Sequence, residues 1–223
     1  MSVWPAIWLT LQLATITTAI LLVIALPLGW WLATTKARTR PLFEAITALP
    51  LVLPPTVLGF YLLLLMSPDA FLGGLFLKVT GDTLAFSFTG LVIASVVYSL
   101  PFAVQPMQTA FRAVPQSSLD AARTLGASAR DAFFSVSLPL ASRGVVTAAV
   151  LSFAHTVGEF GVVLMVGGNI PGKTRVISIE IFSAVETLDY RSAHILSFWL
   201  LALSLIVLTL VYVFNRRGGS RFG

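Results

Sequence analysis

The chain has 223 residues, of which 57% are hydrophobic and only 10% charged, with a mean hydropathy of +0.93; soluble domains carry about a quarter charged residues. That balance excludes an ordinary soluble domain and places the chain in a lipid bilayer. The net charge of +5 belongs to basic residues set between apolar runs, so no nucleic-acid partner is expected, and the absence of cysteine removes disulfide frameworks and thiolate chemistry.

Five apolar spans stand out, at about 5–35, 45–67, 84–111, 141–167 and 193–215, each long enough to cross a hydrocarbon core about 30 Å thick as a helix. The fold class expected is an all-α integral membrane protein, organised as a single domain over 1–223 with its core at about 8–214. No Lys or Arg precedes Lys36, so the first span lacks the basic start of a cleavable signal and reads as part of the mature chain. Lys36, Arg38 and Arg40 follow it. Together with Arg112, Arg123, Arg130, Arg143, Arg216, Arg217 and Arg221 they face Lys78, Lys173, Arg175 and Arg191 on the opposite side. The positive-inside rule therefore predicts an external amino terminus and a cytoplasmic carboxyl terminus.

The second span contains Pro50, Pro54 and Pro55. Proline cannot donate to the helix ladder, so this span should bend or unwind, and broken backbone in a bilayer persists only against protein or water. Pro54 and Pro55 are candidate gate or pathway residues, with Gly59 allowing a neighbouring helix to come close. In the third span Gln105 and Gln108 are candidates either to line the same pathway or to bond across helices.

The connection 112–140 is predicted to be cytoplasmic. Ser117 and Asp120 have the spacing of a capping box, as do Ser128 and Asp131, with Gly126 between; two short helices broken at a glycine are expected. Leu119, Ala122 and Leu125 share a face of the first and Ala129, Ala132 and Phe133 a face of the second, and such a pair needs something to cover its apolar side. Leu138 and Pro139 then lead back into the bilayer.

On the fourth span His155 and Glu159 are four residues apart, hence on one helix face. An intramembrane acid faces a cavity or a partner, and bracing of a helix interface is the expected role, with Gly158 and Gly161 beside it for close packing. The stretch GGNIPGKT at 167–174 fits the phosphate-binding pattern G-x-x-x-x-G-K-[ST] in every letter. It follows an apolar span where a strand is required, however, and Pro171 lacks an N–H, so a helix stop followed by a turn is expected. The remainder of the loop 168–192 is too charged to span and should hold an amphipathic helix on the outer face.

No Ser/His/Asp set or metal-ligand spacing is present, since His155 and His194 lie in different spans. Neither a catalytic residue nor a metal nor a cofactor on this chain is expected. An intramembrane enzyme built on His155 and Glu159 is the remote alternative.

Asp120-Ala121-Ala122, three residues, Gly126, nine residues, Val136, one residue, Leu138-Pro139 resembles the EAA motif of ABC importer permeases, with Asp for the usual Glu and Val for Ile. The resemblance implies a type I importer permease in the cell (inner) membrane. Asp120, Ala121, Ala122, Gly126, Leu138 and Pro139 would then couple it to a cytoplasmic ATPase homodimer. The stretches at 49–65, 122–128, 153–161 and 167–178 resemble the molybdate or tungstate branch, which implies a second copy of the chain, an extracytoplasmic oxyanion-binding protein and no chemistry on the permease. Sulfate or thiosulfate permeases are the alternative branch.

Overall fold

In the computed structural model, which describes residues 3–216, the chain is built from helices in the order α1 Trp4–Thr34, α2 Arg40–Val52, α3 Pro55–Met66, α4 Phe71–Thr80, α5 Phe88–Arg112, α6 Gln116–Thr124, α7 Ala129–Ala132, α8 Leu138–Gly158, α9 Gly161–Gly167, α10 Ile177–Glu186 and α11 Tyr190–Arg216. Among the described residues four helices are long and apolar enough to cross a membrane, α1, α5, the run Ala129–Gly158 and Tyr190–Thr209 of α11. A fifth span is available if α2 and α3 count as one broken element. Arg217 and Arg221 of the charge count lie outside the described residues.

α1, α5 and α8 form the central bundle. Their shared core runs from Leu21 and Ala25 through Ala103, Val104 and Met107 to Ala141 and Ala148. Lipid tails are as apolar as leucine, so apolar burial alone does not hold such helices together, and close packing over small residues must. Gly144 of α8 shows how close: a Cβ there would lie 2.1 Å from the Cβ of Ala110 on α5.

The second span breaks as its prolines demand. α2 and α3 are bent by 110° at Leu53-Pro54, both in extended conformations. Gly59 then lets α3 cross α9, where an added Cβ would sit 2.7 Å from Met165 Cβ.

Four expectations need correction. The fourth span is not one helix: α8 stops at Gly158, Glu159 is extended at ψ 132°, and α9 restarts at Gly161. Glu159 therefore leaves the helical face of His155. The Ser117 capping box is absent, since α6 begins after Pro115 with no side-chain cap and Asp120 instead accepts from Gln116 and Arg123. The Ser128–Asp131 box does form, but its helix is not separate. It passes through a π turn, Phe133–Ser137, into α8, with the Leu138 N–H donating to the Phe133 carbonyl. Pro139 has no N–H for the Ser135 carbonyl, and the widened turn carries the helix past it. Finally, α4 lies in a connection where no helix was expected, between Met66 and the third span.

Candidate functional site

Two clefts follow one another along the groove between α5 and α8. The first, of about 520 Å³, is lined by Leu51, Pro101, Phe102, Gln105, Thr109 and, from α8, Arg143 and Thr147. The second, of about 590 Å³, is lined by Pro55, Thr56, Tyr98, His155, Glu159 and Phe160. Between them stands the Phe102 ring, stacked on His155 with centroids 3.9 Å apart and planes at 23°. Tyr98 flanks the same imidazole at 4.9 Å.

The α5/α8 contact is pinned by a short polar chain. Ser99 Oγ lies 2.8 Å from His155 Nδ1 and 3.1 Å from Thr156 Oγ1, and the Thr156 hydroxyl donates to the Ser152 carbonyl at 2.9 Å. His155 thus braces a helix interface and lines a cleft at once. Glu159 is 4% exposed. The Ser95 hydroxyl lies beside it, yet neither carboxyl oxygen nor that hydroxyl makes a hydrogen bond within 3.5 Å. Instead the backbone of Glu159 is held: its carbonyl, freed by the helix break, accepts the Ser178 hydroxyl of α10 at 2.6 Å.

The two glutamines of α5 part company. Gln105 is exposed in the first cleft, whereas Gln108 is buried and donates to Glu44 Oε1 at 2.7 Å. That same oxygen accepts Arg40 Nε at 3.0 Å and Arg112 Nη2 at 2.6 Å, tying α2 to the end of α5. Pro55 and Gly59 sit on α3 beside the break in α8–α9. Pro54 is the extended residue at the bend.

The coupling candidates gather at the opposite end. α6 has no buried residue, and Leu125, which follows it, is 88% exposed. Gly126 adopts φ +84°. Its N–H reaches the Arg123 carbonyl at 2.9 Å and that of Ala127 the Ala122 carbonyl at 3.0 Å, which is a Schellman stop. The interval of three residues between Ala122 and Gly126 is the spacing that stop requires. Asp120 and Ala121 are exposed and Ala122 half-exposed on this finger, while Leu138 packs against the bundle core and Pro139 is exposed at the start of α8.

The stretch 167–174 cannot cradle phosphate. The N–H groups of Lys173, Thr174 and Arg175 all point at one acceptor, the Ile170 carbonyl, at 3.2, 3.0 and 3.1 Å. Thr174, which a phosphate loop would offer to a metal ion, is buried and accepts the Ile170 N–H. The amphipathic helix expected in this loop from the sequence is α10, seated through Val176, Ile177 and Ile179, with Val185 exposed.

Sequence reasoning missed Glu44, Thr56, Tyr98, Ser99, Phe102 and Arg143. Arg143 was read only as a topology signal. No local motif marks them: Tyr98, Ser99, Phe102 and Arg143 come together only through the α5/α8 crossing, while Glu44 reaches α5 from α2 and Thr56 reaches the second cleft from α3.

Residues 25–217 match the family model described as binding-protein-dependent transport system inner membrane component. The molybdenum transport system permease protein ModB of Azotobacter vinelandii is 54% identical over 211 residues, 95% of this chain and 93% of that protein. The sulfate transport system permease protein CysT of Salmonella typhimurium is 33% identical over 199 residues, 89% of this chain and 72% of that protein. Among solved structures, a bacterial ABC transporter involved in import of the acidic polysaccharide alginate superposes with a TM-score of 0.76 at 16% identity, covering 96% of this chain and 79% of that one.

Proposed function

Because the chain belongs to the family of binding-protein-dependent transport system inner membrane components, we propose that it is the permease subunit of an ABC importer for molybdate, with tungstate as a second substrate. It works as a homodimer in the cell membrane, its amino terminus outside. ATP is hydrolysed on a separate cytoplasmic subunit, and an extracytoplasmic oxyanion-binding protein delivers the anion. The observation that carries this reading is the 54% identity along 95% of the chain, well above that to the sulfate relative.

The geometry supplies a mechanism. The exposed finger of α6, Leu125 and Gly126 offers an apolar knob to the ATPase, and α7 continues without interruption into α8, so a push on the finger moves the α8 wall. The clefts form one wall of the route and the second copy supplies the other, which a two-fold axis provides at no extra sequence cost. Arg143, Gln105, Thr109 and Thr147 line the cytoplasmic cleft with one cation and neutral polar groups, and Thr56, Tyr98 and His155 line the outer one. The Phe102–His155 stack separates the two, and the breaks at Pro54 and Glu159 are the joints at which the outer wall opens. Alternating access is the resulting cycle.

The test is uptake of labelled molybdate by vesicles holding the permease, its ATPase and its binding protein. ATP-dependent entry that unlabelled tungstate suppresses and excess sulfate does not is the expected result. Equal suppression by sulfate would make this a sulfate permease.

A further inference from the structure

Apart from the clefts, a groove of about 390 Å³ opens between the end of α1 and the segment that follows the coupling finger. Leu26, Pro27, Trp30, Phe133, Phe134 and Leu138 line it, together with Ala129 and the aliphatic stem of Arg130. Its floor is an aromatic run: Trp30 meets Phe133 edge-on at 5.1 Å, and Phe133 meets Phe134 edge-on at 5.0 Å. Phe134 remains 64% exposed.

The rim is charged. Among the described residues Arg40 and Arg112 pair with Glu44, Arg123 with Asp120 and Arg175 with Glu180, but Arg130 has no carboxylate within ion-pair distance. Its neighbour Asp131 is occupied, accepting the Ser128 N–H at 3.2 Å and hydroxyl at 2.5 Å in the helix cap. The groove lining itself is wholly apolar, so the Arg130 guanidinium projects beyond it; an apolar slot with an uncommitted guanidinium just outside complements a molecule with a hydrocarbon chain and an anionic head. The groove also sits at the basic end of the bundle, beside Trp30, where the bilayer boundary is expected.

We propose that this groove holds an acyl chain of an anionic glycerophospholipid from the cytoplasmic leaflet, its phosphate paired with Arg130 and its chain against Trp30, Phe133 and Phe134. Guanidinium binds phosphate oxygens through paired N–H donors, and anionic lipid is the charge such a residue meets at that surface. The bound lipid would steady α7 and the π turn, through which the coupling finger joins α8. Placement in the cytoplasmic leaflet rests on the orientation proposed above; the chemistry of the groove does not.

The test uses the assembled transporter in lipid nanodiscs and tryptophan quenching by bromine on the acyl chain. Brominated phosphatidylglycerol should quench more strongly than brominated phosphatidylcholine at equal mole fraction. The excess should vanish in Trp30→Phe, fall about fivefold in Arg130→Gln, the weight of one cation at an anionic surface, and return in Arg130→Lys. Equal quenching by both lipids, or an excess untouched by Arg130→Gln, overturns the proposal. So does loss of the ATPase subunit from Arg130→Gln with quenching unchanged, which would make the groove a protein interface. Orientation is read separately, by labelling a lone cysteine at Thr35 from each side: labelling from outside would overturn the topology and leave the lipid site standing.

Discussion

The Ser178 hydroxyl donates to the backbone carbonyl of Glu159 across 2.6 Å, so helix α10 is fastened to the point where α8 gives way to α9. α10 is itself anchored to α1, because Thr10 Oγ1 accepts the Ile177 N–H at 2.8 Å. A force on the outer loop therefore reaches the break directly.

Ser178→Ala removes one hydrogen bond of about 1 kcal/mol net and should leave folding nearly intact. Stimulation of ATPase activity by loaded binding protein should fall several-fold, while ATPase activity without binding protein is preserved. Unchanged stimulation would show that α10 does not signal to the break.

Phe102→Ala takes away the ring that stands between the two clefts and is stacked on His155. It should raise ATP-independent leak of anion through the reconstituted dimer. A tight Phe102→Ala variant would place the closure elsewhere.

Gly126 at φ +84° has nothing within 4 Å of the position a Cβ would take, so substitution there costs backbone strain alone, about 1 kcal/mol for alanine and more for valine. Uptake should decline in the order Gly, Asn, Ala, Val, since asparagine tolerates the left-handed region. Full uptake by Gly126→Val would detach the turn from coupling.

Glu44 Oε1 gathers three donors, from Arg40, Gln108 and Arg112. Glu44→Leu leaves the buried Gln108 amide with only a long bond to the Leu32 carbonyl, at 3.5 Å, and sets two guanidinium groups together, so it should destabilise by about 2 kcal/mol. Glu44→Gln should cost roughly half that. Thermal unfolding in detergent measures both.

Much of this was legible in the sequence. The apolar spans, the kinking prolines, the glycine stop and the Ser128 cap are local rules, each written in a few consecutive residues. What stayed hidden depended on contacts between distant segments. The end of α8 at Gly158 is not marked by proline, and the spacing of His155 and Glu159 gave a false common face. The first cleft borders the close approach of α5 and α8 at Gly144, and the second needs α3 beside the end of α8, meetings that no single helix announces. Pro139 reads as a helix start, and only the π turn reconciles it with an unbroken span.

Asp189 caps α11, accepting the Ser192 N–H at 3.1 Å. The Ser192 hydroxyl and backbone N–H together hold its carboxyl below the ordinary value of 3.8. A lowered folded value means that the cap's contribution is complete above 3.8 and is lost as pH falls through that lower value. The protection of the Ser192 amide, the chemical rate divided by its exchange rate at the same pH, should fall on acidification and should be low and insensitive to pH in Asp189→Ala.

The uninterrupted run from Ala129 to Gly158 is 30 residues long, roughly 45 Å at 1.5 Å per residue. With the orientation and coupling role proposed above, that is a rod with one end at the coupling finger and the other in the outer half of the membrane. A rod neither stores nor dissipates a thrust along its length. Beyond the π turn, the first break in the helix that a stroke from the proposed ATPase would meet is Glu159-Phe160, and Ser178 is bolted to that break. Stroke and recoil share one hinge, so an ATPase stroke and the arrival of cargo outside would be felt at the same carbonyl.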